Sequence, residues 1–345
     1  MKKFFAVIGN PPYQDQTVGD QRTYAPPIYH QFMDSAAEVA ERVELVTPAR
    51  FLFNAGSTPK AWNEKMLQDS HFKVLHYEAD GKKIFPDTEI KGGVAVTIRD
   101  STKQYGSIGV FIPYEQMRSI LDKVRSASFN NLCDIVFAPE RYKFTELMHA
   151  DHPEIEGMLS KGHKFDLKSN VLDKLDGIAF FDNKPRDGLE YARVMGVVRN
   201  KRTTKWIRCD YLKVPENFNK YKVFVPKAVG SGEFGEKLPE LIIAAPMVGH
   251  TQTFASLGEF ESEDEVKSLA KYLSTKFVRA LISIYKVTQD VTSRVFTCVP
   301  MQDFTAASDI DWAKPVADID RQLYRKYGLT DDEVAFIESH VKEMS

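Results

Sequence analysis

The five apolar residues Phe4–Ile8 run directly into Gly9-Asn10-Pro11-Pro12-Tyr13. A short, unbroken apolar run has the pattern of a strand covered on both faces, as in a parallel sheet. The two prolines stop it, because proline fixes its φ and has no N–H for a ladder. The segment therefore predicts a buried strand whose carboxyl end opens into a stiff loop. In open α/β sheets that is where ligands bind.

The next hundred residues agree with this reading. Pro27 can open a helix, and Ile28, Phe32, Ala36, Val39 and Val43 follow helical spacing. Glu44–Thr47 predicts the next strand, stopped by Pro48. Thr58-Pro59 starts a second helix, with Trp62 and Met66 four apart on one face. Val74–Tyr77 and Val94–Ile98 read as two further strands, joined closely enough to pair antiparallel. Alternation of this kind predicts an α/β sheet with helices packed on it. Residues 126–165 give mixed signals and read as a linker region. From 166 onward, short strands separated by polar turns replace the alternation: Ala192–Arg199, Lys205–Tyr211, Lys222–Pro226 and Leu241–Ala245. One long amphipathic helix is expected over Glu263–Val287. Thr330-Asp331-Asp332-Glu333 has the form of a capping box opening a last helix. The chain thus divides into 1–125 and 166–345 around that linker, consistent with 345 residues and domains of ~100–200 residues each.

Composition excludes several classes. There is no apolar run of the ~18 residues that a membrane helix needs. The basic start at Lys2-Lys3 is followed by too few apolar residues for a secretory signal. Cys133, Cys209 and Cys298 are odd in number and far apart, which suits a reducing cytoplasm better than a disulfide framework. No His/Cys/Asp group has metal-ligand spacing. The net charge of −2 does not announce a nucleic-acid binder, but its distribution points to one. Between Arg193 and Lys227 there are ten Lys/Arg against two acids, Asp210 and Glu216. A local basic face binds phosphate even when the whole chain is near neutral. Arg199, Lys201, Arg202, Lys205 and Arg208 are its candidate DNA contacts.

The loop after the first strand suits one chemistry in particular. An exocyclic amine on a base is a poor nucleophile, because its lone pair is delocalised into the ring. Two hydrogen-bond acceptors around the NH2 group draw it toward tetrahedral geometry and stabilise the developing positive charge. Asn10 can supply a side-chain oxygen, and Pro11 a backbone carbonyl. Pro11 and Pro12 hold these acceptors in place before the reaction. Tyr13 offers a flat face for an extruded base, worth roughly 1–3 kcal/mol.

The stretch FFAVIGNPPYQ resembles the target-base motif of Eco57I-like adenine-N6 DNA methyltransferases of restriction-modification systems. ELVTPARFLFNAG (44–56) is similar to the strand and loop that follow it in that family, and KIFPDTEIKGGVAVTIRD (83–100) to a later motif. YKVFVPKAVGSG, IIAAPMVGHTQTFASLGEF, KYLSTKFVRALISIYKVTQ and DIDWAKPVADIDRQLYRKYGL resemble the target-recognition and C-terminal regions. The resemblance implies a partial Rossmann-like methyltransferase sheet followed by an α+β target-recognition domain. It implies S-adenosylmethionine as cofactor and double-stranded DNA as partner. Asn10, Pro11, Pro12 and Tyr13 become target-base residues. Phe85 becomes an edge contact to the base, or equally a core phenylalanine before a turn. In this family's motif order the cofactor motifs precede the target-base motif, and only nine residues precede Asn10 here. The cofactor half is therefore expected from another chain or from further sequence. A non-catalytic DNA-binding specificity subunit is the alternative. In the methyltransferase sheet, the strand before Asn10 neighbours the one that carries the cofactor turn. Phe4–Ile8 is then expected to be an edge covered by a partner chain, a second copy, or a segment of the C-terminal half.

Three further patterns compete with these. Gly230-Ser231-Gly232-Glu233-Phe234-Gly235 contains a G-x-G-x-x-G and could be a cofactor turn in a permuted order. Pro239 follows too soon for the helix such a turn needs. PDTEIK (86–91) imitates a nuclease signature, but its carboxylates are only two apart. His250 stands alone and reads as a structural histidine.

Overall fold

The computed structural model describes residues 3–15, 25–88, 90–128 and 130–344. They form two units, Met1–Glu115 and Gln116–Ser345.

The first unit contains β1 (Phe4–Gly9), α1 (Tyr29–Val39), β2 (Ala40–Pro48), α2 (Lys60–Gln68), β3 (Phe72–Glu78) and β4 (Val94–Asp100). Its sheet has the order β1-β2-β4-β3. The strands β1 and β2 are parallel, with Val7 beside Val43 and Gly9 beside Leu45. The strand β4 then returns antiparallel between β2 and β3. The helix α1 stops at Val39, where Ala40 turns extended and still donates its N–H to Ala36. Val43, on the expected helical stripe, therefore lies in β2, where the β-branched run through Val46 and Thr47 favours strand. Tyr29 and Met33 from α1, Phe51, Trp62 and Met66 pack with Val43, Leu45 and Phe72 of the sheet in one core. The Trp62 and Phe51 rings lie 5.2 Å apart, and the Trp62 Nε1–H donates to Asp34 at 3.0 Å.

Among the described residues, β2 is the only strand paired with β1. Phe4, Phe5 and Ile8 are exposed, Ile8 at 75%, so among the described residues this strand is not the buried one expected from its apolar run. Among the described residues, the later strands pair within their own sheets. Lys2 lies outside the described residues.

The second unit begins with α3 (Glu115–Ala127) and contains β5 (Val136–Phe137), β6 (Lys143–Phe144), α4 (Glu146–Asp151), α5 (Val171–Lys174), β7 (Tyr191–Val198), β8 (Lys201–Arg208), β9 (Leu212–Lys213), β10 (Tyr221–Pro226), β11 (Ile242–Ala244), β12 (Val248–His250), β13 (Phe254–Phe260), α6 (Glu263–Ser274), α7 (Lys276–Ile282), α8 (Val316–Lys326) and α9 (Asp331–His340). Its sheets are β11-β10-β13-β5 and β12-β7-β8, with β6 and β9 as a separate pair. Residues 126–165, expected as a linker, are structural. Tyr142, Phe144, Met148 and Ile155 are buried with Leu172, Val194 and Ile207. The strands β7 and β8 form a hairpin with Val198 opposite Lys201. Its two-residue turn, Arg199-Asn200, has φ of 49° and 63°. Tight hairpin turns need that left-handed geometry, and asparagine tolerates it.

The long helix expected over 263–287 is two helices. Thr275, with ψ of 150°, breaks it and caps α7 by accepting from the Val278 N–H. The Asp320 carboxylate accepts from the N–H groups of Lys276 and Phe277 at 3.0 and 2.9 Å. These donors would be orphans at a helix start, so α8 fixes the break from outside the helix. A capping box at Ser262 opens α6, and the expected one at Thr330 opens α9.

Burial raises the Asp320 carboxyl from 3.8 to about 6, although the two N–H groups oppose the shift. Because the folded value is raised, the protonated group favours folding. Its contribution is full below pH 3.8 and is lost as pH rises through about 6. Relative to Asp320→Asn, the wild-type chain is expected to lose about 2–3 kcal/mol of stability between pH 4 and 7. Urea unfolding of both proteins at the two pH values checks this. Identical pH dependence in the two would remove Asp320 as the responsible group.

Candidate active site

The strand β1 delivers Asn10 to the carboxyl end of the parallel pair. Asn10 and Pro12 are exposed, while Pro11 and Tyr13 are half-buried. The loop is fastened where the chain returns. The Ile28 N–H donates to the Tyr13 carbonyl at 3.1 Å, and the Asp15 N–H to the Pro26 carbonyl at 2.9 Å. Among the described residues, the Pro11 carbonyl accepts no backbone hydrogen bond. Among the described residues, the buried Tyr13 hydroxyl has no hydrogen-bond partner. Burial raises its pKa, and the adjacent Asn10 side chain partly offsets that. The Tyr13 and Phe85 rings meet edge to face, 6.2 Å between centroids. The fold thus brings Phe85 from the β3–β4 connection to the Asn-Pro-Pro-Tyr loop, although the two are far apart in sequence.

Beside Tyr13 lies a cleft of about 340 Å3, lined in part by Pro27, Tyr29, Pro48, Arg50 and Lys91. Its size is at the lower end of the usual range for ligand sites. Tyr29 is buried, and desolvation pushes its phenol up to about 12, against the opposing effects of Thr58 and Arg50. No carboxylate lines this cleft among the described residues. A second cleft of about 310 Å3, bordered by α1 and α2, is lined by two ion pairs and by Glu38. There Lys65 pairs with Asp34 at 2.9 Å and Arg99 with Asp69 at 2.7 Å. Arg50, Lys91 and Tyr29 do not stand out in the sequence. The signal available is Arg50 within ELVTPARFLFNAG and the glycine pair Gly92-Gly93, and their proximity is visible only in three dimensions.

The basic candidates lie in the second unit and divide sharply. Arg199 and Lys201 are exposed at the hairpin turn. Arg202 pairs at 2.8 Å with Glu240, whose side chain is largely exposed. Lys205 is only 5% exposed, and its ammonium sits between Asp176 and Asp182. Arg208 is held by Asp210 and Asp151 and lies over the Tyr211 ring. Lys205 is thus buried within the hairpin, and carboxylates engage both Lys205 and Arg208. Arg193 of the hairpin and Lys184 from the loop before it each lie 5.9 Å from the Trp206 ring.

The glycine-rich segment does not fit a cofactor. The Glu236 carboxylate accepts from the N–H groups of Ser231 and Gly232 and pairs with buried Lys286, so the chain's own carboxylate fills the turn. A Cβ on Gly232 would meet the Val287 backbone at 2.3 Å, and one on Gly235 the His340 carbonyl at 2.4 Å. Packing, not phosphate, requires glycine here, and no helix follows the turn. The cleft beside Tyr13 has no carboxylate among its described lining that could hold ribose hydroxyls. His250 is fully buried, with Nδ1 on the Thr251 carbonyl and its ring against Tyr142 and Phe224. Burial lowers it to about 4, so it is a neutral core residue. In PDTEIK, Asp87 lies in an exposed loop and Glu89 lies outside the described residues.

Residues 1–85 match the family of Eco57I restriction-modification methylases. The chain carries an Eco57I-like methyltransferase segment of restriction-modification type. An uncharacterized adenine-specific methylase of Mycoplasma pneumoniae is 29% identical over 104 residues, 30% of this chain and 25% of that protein. This match spans about a quarter of the relative's length. Two solved structures are similar over most of the chain. The type IIG restriction endonuclease BpuSI has a TM-score of 0.34 and 9% identity, covering 90% of this chain and 49% of its own. The type IIL restriction-modification enzyme MmeI, solved in complex with DNA, has a TM-score of 0.38 and 11% identity, covering 97% and 56%.

Proposed function

We propose that this chain holds an extruded adenine of double-stranded DNA for methylation at N6, and that its second unit carries the target-recognition surface. The observation that carries the reading is that the Asn10-Pro11-Pro12-Tyr13 loop leaves the carboxyl end of a parallel strand pair, with Tyr13 lining the adjacent cleft and meeting the Phe85 ring edge to face. In it, Asn10 Oδ1 and the Pro11 carbonyl accept the two N–H groups of the adenine amine. The base stacks on Tyr13, with Phe85 at its edge. S-adenosylmethionine, which the family implies, supplies the methyl group. The filled glycine turn at 230–235 favours a second reading, a DNA-binding specificity protein without transfer of its own. Arrival of labelled methyl on DNA separates the two. The sheet order, with one parallel pair joined through α1 and an antiparallel return, supports the partial Rossmann-like reading.

Asn10→Ala is expected to lower methyl transfer about 100-fold or more, the scale of losing one preorganised polar contact, with DNA affinity nearly unchanged. Tyr13→Ala is expected to weaken binding of the extruded base. Transfer of tritiated methyl in the active assembly measures both, and full activity of Asn10→Ala would sink the assignment.

The hairpin tip supplies the second test. Arg199, Lys201 and Arg202 project at or beside the turn, and the ion pair of Arg202 is exposed enough to exchange for phosphate. Neutralising all three should flatten the salt dependence of duplex binding by about 2–3 units of slope, roughly 0.9 per lost contact. An unchanged slope would make the tip a solvated turn.

The third test concerns β1. An exposed edge bearing Phe4, Phe5 and Ile8 is a template for another strand. We propose that a partner chain pairs with it, and that a second copy does so in the isolated protein. Sedimentation velocity is expected to show self-association that Ile8→Lys abolishes. A wild-type monomer at high concentration would count against the second-copy pairing.

A further inference from the structure

We propose that Arg50, with Lys91 beside it, binds the backbone phosphate that flanks the extruded adenine. The inference rests on the base-holding reading above and extends it to residues that nothing so far assigns.

Arg50 follows β2 in a short 3-10 turn over Ala49–Phe53. That turn closes on Arg50 itself, whose carbonyl accepts from the Ala55 N–H at 3.0 Å. Two glycines from different loops then enclose its side chain. A Cβ on Gly56 would lie 3.3 Å from Arg50 Cβ, and one on Gly92 would lie 2.5 Å from Arg50 Cγ. Both glycines have positive φ, 83° and 85°, so backbone geometry as well as space requires them. The stem of Arg50 is thus held in place, and the residue reaches the cleft that Tyr13 lines.

A half-buried guanidinium normally finds a carboxylate. Other arginines of the first sheet do so: Arg42 pairs with Asp100 and Arg99 with Asp69. Arg50 has no ion pair among the described residues, and Lys91, exposed on the same cleft, has none either. The described lining holds these two cations and no acid. Partial desolvation without a counter-charge is unfavourable, and an arriving anion relieves it through charge-assisted, potentially bidentate bonds. Next to a loop that holds a base, the anion always at hand is that nucleotide's own phosphodiester. Lys91 adds a point charge that needs no fixed geometry. Base and phosphate would then be gripped from one cleft, Tyr13 on the ring and Arg50 on the backbone.

The test uses the full chain and a fluorescein-labelled duplex with one adenine opposite an abasic site, so that extrusion costs little. A second probe carries a methylphosphonate in place of the phosphate on one side of that adenine, and a third on the other side. Fluorescence anisotropy is expected to show about 10–100-fold weaker binding for Arg50→Gln, as for losing a charge-assisted bond. Arg50→Lys should retain part of the affinity. One methylphosphonate should weaken wild-type binding by a similar factor and erase the difference between wild type and Arg50→Gln. Gly92→Ala, which displaces the Arg50 stem without changing charge, should weaken the phosphate probe more than that methylphosphonate probe. Thermal melting identifies any variant that loses its fold, and Arg50→Lys and Gly92→Ala then carry the comparison. Equal loss on all three probes, or no loss, overturns the proposal. So does a loss of S-adenosylmethionine binding by calorimetry with DNA affinity intact, which would assign the anion to the cofactor's carboxylate. Tyr13→Ala separates the underlying reading. If it binds the adenine probe normally while Arg50→Gln does not, the base-holding reading fails and the phosphate site stands. A wild-type chain with no affinity for the adenine probe overturns both.

Discussion

The parallel pairing of β1 with β2 is the constraint from which the first unit follows. Parallel neighbours cannot be joined by a tight turn, so the chain must leave the sheet, cross it and re-enter in the same direction. The helix α1 makes that crossing, and its apolar face supplies Tyr29 and Met33 to the core. The same pairing makes both strands end at one side of the sheet. With Gly9 beside Leu45, the loop beginning at Asn10 and the turn holding Arg50 emerge near each other, although a helix and a strand separate them in the chain. The antiparallel return through β3 and β4 then brings Phe85 and Lys91 to that side from the connection between them.

Charge in the second unit is largely spent on structure. Lys205 joins Asp176 and Asp182, Lys286 joins Glu236 across a glycine turn, and Asp320 terminates one helix boundary from another helix. Lys222 is fully buried, its ammonium bound to the carbonyls of Phe218 and Lys220, and desolvation lowers it to about 7. A buried charge must be paired or hydrogen-bonded in this way, because desolvation is costly otherwise. Against that background Arg50 stands out, a half-buried cation with no carboxylate among the described residues around it. Composition cannot register such a difference. The ten basic residues between Arg193 and Lys227 look alike in sequence, yet Lys205, Arg208 and Lys222 are engaged within the protein while Arg199 and Lys201 are exposed.

Local chemistry was legible wherever a residue acts on its immediate neighbours. The apolar run into Asn-Pro-Pro-Tyr indicated a strand stopped by proline, and Thr330 with Glu333 indicated a helix start. The β3–β4 pairing followed from two neighbouring strand segments and a connection short enough for an antiparallel pair. Periodicity failed where a distant residue intervened. The apolar stripe of 263–287 continues through Thr275 without a flaw, and only the Asp320 carboxylate reveals two helices instead of one. The stretch 126–165 has weak local propensity, so it read as a linker. Its order comes from burying Tyr142, Phe144 and Met148 against strands far along the chain.

By itself, then, the sequence determined the class of fold around Phe4–Tyr13 and the chemical character of the loop that follows, because strand, proline stop and hydrogen-bond acceptors are set by adjacent residues. It determined the capping box at Thr330 for the same reason. Only the tertiary structure decided which cations are spoken for and which glycines serve packing. Gly232 and Gly235 make room for backbone, while Gly56 and Gly92 make room for the stem of Arg50. These outcomes depend on contacts between segments far apart in the chain, and a one-dimensional pattern holds no information about which segments meet.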